Sequence, residues 1–72
     1  MNTYVVFVEM SPRKGKRMVA VQSKRSGAEL GGIAWHPGWG QYVFIPNGET
    51  IWSEDCLAAV RDKIVALTES AR

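Results

Sequence analysis

Seventy-two residues with a single cysteine, Cys56, make one domain with one small core and exclude an internal disulfide. An apolar content of 46%, with three Trp, two Tyr and two Phe, excludes a disordered chain, and no window approaches the roughly 20 apolar residues of a membrane span. The net charge of +2 divides unevenly: residues 1 to 27 carry six basic residues against Glu9, a net +5, and residues 28 to 72 carry three against six acidic ones, a net −3.

Residues 3 to 10, Thr-Tyr-Val-Val-Phe-Val-Glu-Met, are β-branched and aromatic without helical spacing, which predicts a strand. Its apolar residues fall on both faces, and that suggests a central position in a sheet. Ser-Pro-Arg-Lys-Gly at 11 to 15 predicts a turn, with Pro12 fixing φ and Gly15 free for a left-handed conformation. A second strand returns over 16 to 23, where Val19 and Val21 share one face. The first hairpin therefore has a cationic tip.

A third strand is predicted over 29 to 36. Gly31 and Gly32 inside it mark a bulge, a bend or the close approach of a large ring. Pro37-Gly38 supplies the two central residues of a type II turn, and a fourth strand follows over 40 to 45. Asn47-Gly48 signals another hairpin, leading into a short fifth strand over 50 to 52. A helix is predicted over 54 to 69: Ser53 is its N-cap, Glu54 and Asp55 suit the dipole of its first turn, and Trp52 packs on Leu57 as a hydrophobic staple. Leu57, Val60, Ile64 and Leu67 form its apolar stripe. The expected fold is a small α+β domain, an antiparallel sheet of four strands plus a short fifth, with one C-terminal amphipathic helix on one face.

Chemistry is harder to find. Glu49, Glu54 and Asp55 are close in sequence, but a helix amino terminus favours carboxylates without catalysis. His36 and Cys56 are the only imidazole and thiol, too few for a metal site and drawn from different elements. Gly31-Gly32 with Gly38 and Gly40 lacks the lysine and the context of a phosphate loop. No catalytic residue, metal or cofactor is expected. The candidate partner-binding residues are Trp39, His36, Trp35 and Tyr42, around the Pro37-Gly38 turn, because Trp and Tyr beside a turn are typical interaction hot spots. The alternative is a nucleic-acid surface built from Arg13, Lys14, Lys16, Arg17, Lys24 and Arg25. A chain this small also has self-association open to it as a homodimer. Without a signal peptide or a membrane span, a cytoplasmic setting is expected.

The run Leu30, Gly32-Ile33, Trp35, Trp39, Gln41-Tyr42, Phe44, Pro46, Thr50, Ser53, Cys56-Leu57 and Ile64 resembles a group of small phage and prophage proteins. That group carries the pattern L-G-x-I-x-W-x-x-x-W-x-x-Y-x-F-x-P, then T, then C-L and an isoleucine. The chain departs from it in a second glycine after Leu30 and in Gly40, where a basic residue is common. The resemblance implies a phage accessory protein in the bacterial cytoplasm that binds a host protein or complex, plausibly to inhibit or redirect host defence. It carries no catalytic residue across.

Overall fold

A computed structural model describes residues 4–70, and it contains four strands and one helix: β1 (Val5–Arg13), β2 (Lys16–Ser23), β3 (Glu29–His36), β4 (Gln41–Pro46) and α1 (Glu54–Ser70). The strands form one antiparallel sheet in the order β1-β2-β3-β4, and α1 covers one of its faces. The fold is α+β. Thr3, the predicted start of the first strand, lies outside the described residues.

Local chemistry explains each reversal of the chain. Lys14 and Gly15 both have positive φ, 52° and 77°, so β1 and β2 are joined by a two-residue turn with the twist that hairpins favour. Pro12 is therefore part of the strand rather than the turn. The register shifts between Met10 and Arg13 there, and an edge strand tolerates a residue without an N–H at such a place. Between β2 and β3 a bulge sets Val21 opposite Gly31 but Gln22 opposite Glu29, so Leu30 is the extra residue. Leu30 packs against the core from this position.

The core lies between the sheet and α1. Val5, Val19, Val21, Ile33 and Tyr42 line the sheet side, and Val60 and Leu67 meet them from the helix. Burial of each such aliphatic side chain contributes roughly 1.5 to 3 kcal/mol. Ser53 caps the helix as expected, its Oγ accepting the Cys56 N–H at 3.2 Å. The last turn of α1 has no basic residue of its own. Arg17 of β2 supplies a cation there, donating from a guanidinium nitrogen to Ser70 Oγ at 3.2 Å.

Four further expectations need correction. The first strand is an edge, not a central strand; its second apolar set, Val6, Val8 and Met10, faces a side of the sheet that no element among the described residues covers. The short fifth strand over 50 to 52 is not seen: Ile51 is 98% exposed, and the polar groups around it are used locally. Asn47 extends the β3–β4 pairing through its N–H to Leu30 O and its amide to Glu29 O. Thr50 Oγ1 donates to Asn47 O and accepts from Trp52 Nε1, each at 2.8 Å.

The staple is also different. Leu57 is 49% exposed, and Trp52 packs edge-on against Phe44 at 4.7 Å between ring centroids. The buried stripe of α1 thus runs through Cys56, Val60, Ile64 and Leu67. Finally, Pro37-Gly38 does not form a type II turn, because the left-handed residue is Gly40 (φ 65°). The N–H groups of Trp39 and Gly40 both donate to His36 O, at 3.1 and 2.8 Å, so the four-residue loop closes on one carbonyl.

Candidate binding surface

In an antiparallel sheet of sequential hairpins, the β1–β2 and β3–β4 turns lie at the same end and the β2–β3 turn at the other. The cationic tip and the aromatic turn, which belong to separate hairpins in the sequence, are therefore brought together. A depression between them is lined by Arg13, Lys14, Lys16, Trp35 and Pro37. Lys24 and Arg25 belong to the β2–β3 turn at the far end, where they line a different hollow with Cys56 and Ile51.

The four aromatic-turn candidates divide by role. Tyr42 is 6% exposed and belongs to the core. Trp35 rests edge-on against it at 5.3 Å, and the ammonium of Lys16 stands 4.3 Å from the Trp35 ring centroid. His36 and Trp39 form a stacked pair at the tip, with centroids 4.6 Å apart and planes 22° from parallel. The backbone N–H of Trp39 also donates to His36 Nδ1 at 3.0 Å, which orients the imidazole beneath the indole. Gly38 allows this geometry: a β-carbon there would come within 3.0 Å of His36 Cε1. Trp39 itself is 68% exposed.

The cations divide too. Arg17 is committed to Glu9 through two hydrogen bonds, at 2.7 and 3.1 Å. That hydrogen bonding holds the Glu9 carboxyl below its ordinary value, outweighing the opposing effect of desolvation, with the charges of Arg17 and Lys63 acting in the same direction. Arg13 and Lys14 make no ion pair among the described residues. These two, with Lys16 on its ring, are the cationic groups the tip presents.

A further surface was not anticipated from the sequence. On the side of the sheet away from α1, the register aligns Val8, Ala20, Gly32 and Ile45 in one row. Met10, Met18, Ala34 and Val43 form the next. No charged side chain interrupts either row. Their centre is a shallow depression of about 440 Å3 over Ala20, Gly32 and Ala34. The signal for it was the two-sided apolar pattern of β1, set against one helix among the described residues to cover two faces.

His36 and Cys56 stand at opposite ends of the sheet, so the only imidazole and thiol do not meet. Among the described residues, no three His, Cys, Asp or Glu side chains are grouped to hold a metal ion, and no helix is long and apolar enough to cross a membrane. No protein-family model, curated protein or solved structure matches the chain.

Proposed function

We propose that the protein is a non-enzymatic accessory protein of phage or prophage origin that acts by binding a host protein, through the end of the sheet where the Trp39 turn and the Arg13-Lys14 tip meet. One observation carries this reading: Trp39 is stacked on His36 and fixed by the His36 carbonyl, yet it contributes nothing to the core. A large, oriented, exposed ring is the usual anchor of an interaction hot spot. With Arg13 and Lys14 beside it, the suitable partner presents an acidic rim around an apolar pocket. The resemblance of residues 30 to 64 to small phage proteins is what supports a bacterial cytoplasmic setting and a stoichiometric mode of action, such as inhibiting or redirecting host defence.

The test is capture of host proteins on the immobilised chain, repeated with purified candidates. A true partner binds the purified protein in a fixed ratio and loses roughly 30-fold or more in affinity with Trp39→Ala, the scale of a hot-spot residue. A partner indifferent to both Trp39→Ala and His36→Ala would remove this assignment.

One observation favours a second reading, binding of single-stranded nucleic acid: the exposed indole and the cationic tip share one end, where a base can stack while phosphates meet Arg13, Lys14 and Lys16. Polarisation titrations with oligonucleotides decide it. Affinity should fall with salt at a slope reflecting about three phosphate contacts, and Lys24→Ala with Arg25→Ala should leave it unchanged. An absence of binding at low ionic strength eliminates the reading.

A further inference from the structure

We propose that the open sheet face is the interface of a symmetric homodimer, two copies packed sheet to sheet with their strands antiparallel. In this arrangement Met18 of each copy lies over Ala20 of the other, and Glu29 of each meets the Arg13-Lys14 tip of the other. The proposal does not rest on the reading above: it uses the middle of the sheet rather than the Trp39 turn, and the two share only the Arg13-Lys14 tip.

A sheet buries an apolar face against another layer, and α1 is already used on the opposite side. The two central rows carry no charge, so they offer nothing to a phosphate backbone and nothing to the polar rim of a foreign protein. Charge lies only at the two ends of this face, and it differs in sign. Glu29, opposite Gln22, borders the depression at one end and makes no ion pair among the described residues. Arg13 and Lys14 border the other end.

Symmetry then selects one arrangement. A two-fold axis running along the strands would set Val8 against Ile45, leave Ala20 opposite Gly32 with a void between them, and gather both cationic tips at one end and both Glu29 side chains at the other. An axis crossing the strands exchanges the rows instead. Ala20 then faces Met18, Val8 faces Met10, Ile45 faces Val43, and each Glu29 approaches the opposite tip. The space over each Ala20 is then filled by Met18 of the other copy, Gly32 faces Ala34 beside it, and unlike charges meet at the rim, in keeping with close packing and electrostatic complementarity.

Four strands about 4.8 Å apart and about six residues long cover about 400 Å2 of each copy. That is about half the ~800 Å2 per partner of a standard interface, so the association belongs to the weak, reversible class with a micromolar or weaker Kd.

Sedimentation equilibrium of the full chain, from micromolar to millimolar concentration, tests this directly. The expected result is a monomer–dimer equilibrium that Ile45→Asp weakens at least tenfold, while Leu57→Asp on the outer helix surface leaves it unchanged. Circular dichroism checks that both variants fold. Arg13→Glu and Glu29→Arg should each weaken the dimer, and the double variant should recover it, an outcome that holds even if Ile45→Asp proves unstable. A chain that stays monomeric at millimolar concentration overturns the proposal, as does a dimer indifferent to these charges and to Ile45→Asp.

Discussion

The ring of Phe44 lies directly over Gly31: a β-carbon added to the glycine would fall 2.7 Å from Phe44 Cε1 and 2.6 Å from the carbonyl oxygen of Ile45. The second obstacle is backbone, so the ring cannot simply rotate away to make room. Gly31→Ala should therefore destabilise the fold by about 1 to 3 kcal/mol, the usual cost of overpacking. Gly32→Ala is the control, since its added carbon would meet only Val19 O at 3.6 Å, an ordinary contact. Urea denaturation of the two variants should separate them; equal midpoints would show that the Phe44 ring does not impose the glycine.

The helix offers a similar contrast between two leucines. Leu67 is 1% exposed, and Leu67→Ala should cost about 2 to 5 kcal/mol. Leu57→Ala, on the outer surface of α1, should stay within about 0.5 kcal/mol of the parent. Thermal unfolding followed by circular dichroism checks both; comparable losses would return Leu57 to the core.

These two cases also mark what could be read from the sequence. The β-branched and aromatic runs marked the four strands and Ser53 marked the helix start, because those signals act within a few residues, whereas the turn residues Pro12, Pro37-Gly38 and Asn47-Gly48 were read too literally. The position of β1 was misread because a strand apolar on both sides looks the same whether it is central or lies at the edge of a sheet with one open apolar face. Leu57 was misread because Cys56 and Leu57 both continue the spacing of Val60, Ile64 and Leu67. What decides between them is the angle at which the 47–53 loop delivers the helix, and that angle depends on Thr50 and Trp52 bonds that no periodicity encodes. The meeting of Arg13 and Lys14 with the Trp39 turn follows from strand order alone, yet it shows only once the two hairpins are joined in one sheet.

That loop can be tested at Thr50, whose hydroxyl both donates to Asn47 O and accepts from Trp52 Nε1. Thr50→Val keeps the shape and removes both bonds, leaving the half-buried indole N–H without its acceptor. The expected loss is about 1 to 3 kcal/mol. A change in Trp52 fluorescence should accompany it. A variant as stable as the parent would mean that the loop is held by the Trp52–Phe44 contact alone.

Two tryptophans on either side of one turn should behave oppositely. Trp39→Ala should leave stability within about 0.5 kcal/mol of the parent, because the exposed ring touches only His36 among the aromatic residues. Trp35→Ala removes the edge-on contact with Tyr42 and the seat of Lys16, and should cost about 2 to 4 kcal/mol. Chemical denaturation of both variants provides the measurement, and a large loss in the first would place Trp39 among the residues that hold the fold.

The Glu9–Arg17 pair should make stability sensitive to acid. Folding lowers the Glu9 pKa, so the stabilisation is fully present above the unfolded carboxyl value and is lost as pH falls through the lower folded one. Glu9→Gln should flatten that part of the pH–stability profile and leave the neutral-to-alkaline limb parallel to the parent. Because the pair is exposed, added salt should reduce the difference. Identical acid limbs in the two proteins would show that other carboxyls control it.

Alternation along each strand has a consequence for how such a chain changes over generations. Residues facing α1 and residues facing outward are interleaved one by one, yet only the first set answers to the core. Val6, Val8, Val43 and Ile45 can be rewritten singly, each by a point mutation, without disturbing the wall that Val19, Val21 and Ile33 build behind them. The sheet thus carries two texts in one line of sequence, one conserving the shape and one open to revision, and selection for a new contact can edit the second while the first is left standing.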